Sequence, residues 1–165
     1  MGERMCVSLS FAKDNCDKAT VAFVLANAAA ASNRETLVFL STEGVRLAVA
    51  GYADDIREEG FSSLKDLMRT FVEAGGKIFV CSPCVKKRGL AEAPLVPGAT
   101  VVGGAKLVEF LSGGTPCLSM LIDPSRYTRT ARTEPLSGGR LTVPLTMAPA
   151  SACATPKLAV TDILL

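Results

Sequence analysis

Ser63-Leu64-Lys65-Asp66-Leu67-Met68-Arg69-Thr70-Phe71-Val72-Glu73-Ala74-Gly75-Gly76-Lys77-Ile78-Phe79-Val80-Cys81-Ser82-Pro83-Cys84 holds one complete helix-to-strand unit and a closely spaced cysteine pair. Leu64, Leu67, Met68, Phe71 and Val72 recur at i, i+3, i+4, i+7 and i+8, the spacing of one buried helix face. Ser63 with Asp66 three residues on resembles a capping box, with Asp in place of the usual Glu or Gln. Gly75-Gly76 stops the helix where left-handed backbone is favoured. The apolar run Ile78-Phe79-Val80 then predicts a strand that delivers Cys81 to the loop edge of a sheet, where open α/β folds keep their reactive groups.

The same alternation extends in both directions. Met5–Ser10 has strand character, and the polar turn Lys13-Asp14-Asn15-Cys16-Asp17 leads into a helix over about 17–31, with Val21, Val24, Leu25 and Ala28 at helical spacing. Thr36–Leu40 is a continuous apolar run, which fits a strand buried on both faces. Gly44–Gly51 predicts a short helix, and 52–61 a charged connection. Beyond the cysteine pair, a proline-containing link over 91–98 precedes a fourth strand, Ala99–Val102. Gly103-Gly104 opens a helix with Leu107, Val108 and Leu111 inward, and Cys117–Ile122 reads as a fifth strand. Strands alternating with helices at this spacing predict a doubly wound α/β sheet.

From Asp123 onward Thr, Ser, Pro, Ala and Arg dominate and no period persists. A domain over 1–122 is therefore expected, followed by a loosely docked or flexible tail over 123–165, in which Leu141–Leu145 could form a short edge strand. Without the tail the remaining charges balance, thirteen of each sign.

At 165 residues and 48% hydrophobic composition, the chain suits a single ordinary core. The formal charge of +2 is dispersed, which speaks against a nucleic-acid partner. The beginning of the sequence has no basic region leading into a long apolar stretch, and 20–31 is too short to span a bilayer, so a cytoplasmic protein without a membrane partner is expected. Histidine is absent, which excludes Ser/His/Asp and Cys/His catalysis. Six cysteines remain, at 6, 16, 81, 84, 117 and 153.

A thiolate is the nucleophile, and an unperturbed cysteine is only about 3% ionised at pH 7. A short helix beginning at Pro83 or Cys84 would point its positive end at Cys81, and Lys86, Lys87 and Arg88 would add cationic charge, so Cys81 is the expected nucleophile with a lowered pKa. Cys84 lies one turn on and would act as the resolving thiol. Zinc needs two more ligands, with no histidine and no second cysteine pair to supply them, so no metal is assigned, and no cofactor is called for. Cys16 follows the first strand on the same sheet edge and would reach the site if the strands before Cys16 and Cys81 were neighbours. Cys6 and Cys117 are expected to be buried and inert. Glycine-rich phosphate motifs are absent.

The string Gly75-Gly76-Lys77-Ile78-Phe79-Val80-Cys81-Ser82-Pro83-Cys84 through Arg88-Gly89, preceded by Gly60-Phe61 and Leu64-Lys65-Asp66-Leu67, resembles the DsrE/DsrF-like family of sulfur-relay proteins. Ala19–Ala28, Gly51-Tyr52-Ala53-Asp54 and Gly103-Gly104-Ala105 fit it as well, so the resemblance spans about 5–122. It implies a three-layer αβα fold with a five-stranded mostly parallel sheet, and association as trimers or hexamers. It also implies sulfur carried as a persulfide on the cysteine eight residues before the glycine of an Arg-Gly pair, which is Cys81 here. Cys84 is absent from many such relays and typical of a less characterised Cys-x-Pro-Cys branch.

Three functions follow as expectations. In the first, Cys81 accepts sulfane sulfur from a donor protein and passes it to an acceptor, with Cys84 resolving. In the second, the pair serves a thiol-disulfide oxidoreductase or peroxiredoxin-like reductase. In the third, the cysteines only pack, within a non-catalytic oligomeric module.

Overall fold

The computed structural model describes residues 3–120. The predicted tail over 123–165, the strand over 141–145, Cys153 and the last two residues of the predicted fifth strand lie outside them. Five strands, β1 (Arg4–Leu9), β2 (Glu35–Leu40), β3 (Lys77–Cys81), β4 (Ala99–Val102) and β5 (Cys117–Met120), form one sheet in the order β4-β3-β2-β1-β5. Every pairing is parallel. The helices are α1 (Cys16–Ala31), α2 (Leu64–Glu73), α3 (Ser82–Lys87) and α4 (Gly104–Leu111). Thr42–Ala48 is a 3₁₀ helix and begins two residues before the expected short helix.

The order of strands explains the layers. From β1 to β4 the chain steps in one direction, and right-handed crossovers then put α1 and α2 on one face. The step from β4 back past β1 to β5 reverses direction and puts α4 on the other. The larger core accordingly joins Val7, Leu9, Val38, Leu40, Ile78 and Val80 to α1 and α2. The smaller one joins Cys6, Leu37 and Phe39 to Phe110 of α4.

Local chemistry sets the helix ends. Asn15 caps α1 by accepting from the Lys18 amide at 3.0 Å. Ser63 caps α2, its hydroxyl accepting from the Asp66 amide at 3.2 Å and donating to the Asp66 carboxylate, which does not reach the Ser63 amide. This shorter acidic side chain therefore closes half of a capping box. Gly75, at φ +83°, ends α2, with its amide on Val72 O and the Gly76 amide on Phe71 O, both at 2.9 Å. That pair of bonds is a Schellman motif.

Two inward faces differ from expectation. In α1 the buried residues are Cys16, Ala19, Thr20, Ala22, Phe23, Ala26 and Ala29, while Val21, Val24 and Leu25 are half-buried and Ala28 is exposed. Alanines let the helix axis approach the sheet closely, so the small face goes in and the branched face is left at the rim. In α4 the buried residue is Phe110, Leu107 and Leu111 pack beside it, and Val108 is 66% exposed. The large aromatic ring outweighs Val108 in selecting which side turns inward.

Cys6 is fully buried beneath α4, which pushes its thiol up to about 12 from 9.0, with the Cys117 thiol adding to the rise. The unfolded chain therefore loses this proton first. Stability tied to Cys6 is intact below about pH 9 and falls as pH climbs toward about 12. A Cys6→Ala protein should lack this loss, which amounts to at most about 1.4 kcal/mol per pH unit. Urea titrations of both proteins at several alkaline pH values check it: their stability difference should shift in favour of Cys6→Ala as pH rises.

Candidate functional site

Cys81 is the last residue of β3 and the N-cap of α3, with φ −64° and ψ 111°. The helix starts at Ser82, one residue earlier than expected, and places Pro83 at its second position, where an amide would find no partner within the helix. Cys81 is half-buried, packing against both cores, and Cys84 is half-buried one turn on. Both thiols are free.

Burial raises the Cys81 pKa, and the neighbouring Cys84 thiol raises it further. The hydrogen bond from the Cys84 amide and the Arg88 charge pull the other way but do not prevail over burial. The expected lowering of this pKa is therefore overturned: a six-residue helix has a weak dipole, and desolvation of a half-buried thiolate exceeds it.

Of the three cations, Arg88 is the one whose charge lowers the Cys81 pKa. Its guanidinium is anchored, donating to Glu43 at 2.8 and 3.0 Å and to Cys84 O at 3.3 Å, with the side chain only 14% exposed. Lys86 and Lys87 sit exposed in the last turn of α3. Arg88→Gln should slow iodoacetamide alkylation of Cys81 at neutral pH, and Lys86→Gln should change it less. Rates measured by mass spectrometry of the Cys81 peptide check this, equal rates in both variants being the adverse result.

The loop after β2 completes the site and was not anticipated from the sequence. The Thr42 amide donates to Cys84 Sγ at 3.3 Å. Thr42 holds φ +45°, unusual for a β-branched residue, and its hydroxyl donates to Ser10 O at 2.7 Å. Glu43 accepts from both Arg46 and Arg88; the hydrogen bond from Arg46, then burial opposing it and Arg88 assisting, leave its carboxyl below the usual range. The available signal was adjacency: β2 neighbours β3, so its trailing loop must lie beside the loop that follows β3.

Cys16 begins α1 and is buried in the larger core. The condition for its reaching Cys81 is not met, because β2 lies between β1 and β3. Cys6 is buried as expected, whereas Cys117 is exposed: β5 is an edge strand and covers less than its apolar content suggests. Among the described residues no group of three or more Cys, Asp or Glu side chains could hold a metal ion. No helix among them is long and apolar enough to cross a membrane. A cavity of about 470 Å³, lined by Ala53, Met68, Val72, Ile78 and Val96 among others, lies against α2 rather than at the cysteine pair.

Comparison with known proteins agrees with this architecture. The model of the DsrE/DsrF-like family matches residues 8–117. An uncharacterised protein of Methanocaldococcus jannaschii, MJ0760, is 33% identical over 98 residues, which cover 59% of this chain and 36% of that protein. The chain thus spans about a third of the length of that curated relative. The crystal structure of the ychN protein from E. coli matches with a TM-score of 0.61 at 16% identity, over 71% of this chain and 98% of that one. A conserved protein of unknown function from Bacteroides thetaiotaomicron, BT1422, matches with a TM-score of 0.53 at 18% identity, over 72% and 95%. At these identities the two structures speak for the fold.

Proposed function

From a chain that belongs to the DsrE/DsrF-like family, with a cysteine pair at the end of β3, we propose a sulfur carrier in which Cys81 holds sulfane sulfur as a persulfide. The family suggests a function of the sulfur-relay type. The observation that carries the reading is the placement of Cys81 as both strand end and helix cap, open on one side and backed by two cores on the other. The raised pKa makes its thiolate scarce, but thiolates of higher pKa are intrinsically better nucleophiles, so alkylation rate alone does not decide the matter.

The step is an exchange. The Cys81 thiolate attacks the outer sulfur of a donor persulfide, R–S–SH; the Cys81–S bond forms, the donor S–S bond breaks, and R–S⁻ leaves and takes up a proton. An S–S bond adds about 2.0 Å to the side chain, which carries the transferable sulfur outward from the half-buried Cys81. An acceptor thiolate then takes the outer sulfur. Alternatively Cys84 attacks the inner sulfur, closing a Cys81–Cys84 disulfide and expelling hydrosulfide. Donor and acceptor are thus thiol-bearing proteins, and the carrier works as a homo-oligomer.

The second reading, a thiol-disulfide oxidoreductase, is favoured by the direct influence of the Cys84 thiol on Cys81. Incubation of reduced protein with a small persulfide, followed by intact mass, separates the two. Gain of one sulfur mapped to Cys81 supports the carrier. Loss of two hydrogens on treatment with peroxide or a protein disulfide, with no sulfur adduct from the persulfide, supports the oxidoreductase.

A further inference from the structure

A second pair of thiols lies on the opposite part of the sheet from Cys81. Cys6 of β1 and Cys117 of β5 are direct partners in the parallel register, and the Cys6 amide donates to Pro116 O at 2.9 Å. In-register neighbours in a parallel sheet project from the same face, with backbones about 4.8 Å apart, inside the Cα window that a disulfide requires. Both thiols are free, and the Cys117 side chain interacts with that of Cys6.

The site is separate from the first. Cys6 aligns with Leu37 of β2, which aligns with Lys77 at the start of β3, whereas Cys81 ends that strand two positions across the sheet. Four residues of rise at about 3.3 Å each, in addition to the lateral step, keep the two pairs from exchanging with each other directly.

The two thiols are unequal in access. Cys117 is exposed on an edge strand, and Cys6 is fully buried beside Leu37, Phe39 and Phe110. A reagent in solution meets Cys117 first. Among the described residues its thiol neighbour in register is Cys6, against which β5 is already held by the ladder.

We propose that Cys6 and Cys117 form an oxidative modification site, at which a low-molecular-weight disulfide converts the pair into a cross-strand disulfide fastening β5 to β1. The Cys117 thiolate attacks R–S–S–R, forming Cys117–S–S–R and releasing R–S⁻. Cys6, on giving up its proton, then attacks the Cys117 sulfur; the Cys6–Cys117 bond forms and the second R–S⁻ departs. Two protein thiols are oxidised, one small disulfide is reduced, and the two protons end on the two released thiols. Burial holds the Cys6 proton tightly, so closure is the slow step and the mixed disulfide on Cys117 accumulates first.

Trypsin separates the cysteines involved: Cys6 falls in 5–13, Cys117 in 107–126, and Cys81 with Cys84 in 78–86. The full chain is treated with oxidised glutathione, blocked with N-ethylmaleimide and digested without reduction. The expected product is 5–13 joined to 107–126, two hydrogens lighter than the sum, preceded in time by glutathionylated 107–126. It should persist in the Cys81→Ser/Cys84→Ser protein and be lost in Cys117→Ser, where native Cys6 should then resist glutathione. Cys6 joined to any other cysteine, or glutathionylated Cys117 that never closes, overturns the proposal. Since Cys117 is exposed, its serine variant should keep the fold, and unchanged near-native melting verifies that. Failure of this site leaves the persulfide reading of Cys81 untouched, because the two are read on different peptides.

Discussion

The Cys81→Ser protein is expected to gain no sulfur from a small persulfide, while Cys84→Ser gains one and keeps it longer than wild type. Serine has no thiolate to attack with, and its hydroxyl stays protonated at any working pH. The variant is also a clean one. Cys81 is the N-cap of α3, a position at which serine is among the preferred residues, and it is only half-buried. Its stability should therefore change by about 1 kcal/mol or less, and urea denaturation of the same preparation separates lost uptake from unfolding. In Cys84→Ser the thiol that would expel hydrosulfide is missing, which lengthens the life of the adduct. Intact mass over a time course reads both. Sulfur retained in Cys81→Ser would place the acceptor elsewhere and end the reading.

Phe71→Ala should produce the largest loss of stability, about 3–5 kcal/mol, the usual range for removing a fully buried aromatic ring. Phe71 is fully buried and stands edge-on to Phe23, with ring centroids 6.0 Å apart at 77°. It also covers the Schellman turn: a Cβ at Gly76 would lie 2.3 Å from Phe71 Cζ. Gly76→Ala alone should cost about 1–3 kcal/mol through overpacking. In a Phe71→Ala background the added methyl meets an emptied space, so the double variant should lose less than the sum of the two. Urea denaturation of the four proteins measures the coupling, and strict additivity would show that the turn and the ring act separately.

The β3–α3 unit was legible because each of its parts has a local cause: a periodic face on α2, a glycine stop, an apolar strand, and a cysteine before a helix-starting proline. The match between the expected and observed strands reflects the same locality. What the sequence did not reveal depends on what lies next to what. Thr42 and Glu43 join the site only because β2 is the neighbour of β3. Cys117 is exposed only because β5 is an edge. The phase of α1 could not be read from periodicity, since alanine and valine faces both repeat at 3.6 residues and the choice rests on how closely the helix approaches the sheet. The Cys81 pKa fell to the same limit: charges can be counted along a sequence, but desolvation is a property of the assembled cores.

The strand order has a consequence for synthesis. β1 is made first yet sits inside the sheet, with β2 on one side and β5 on the other. The ribosome must add residues 10–120 before β5 can close that side, which at 5–20 residues per second takes roughly 6–22 s. Through that interval the nascent chain carries an unpaired backbone edge on a strand that ends up inside the sheet, a template on which another chain could pair. A stall anywhere before Met120 would prolong it, so chaperone demand should fall once β5 has been made.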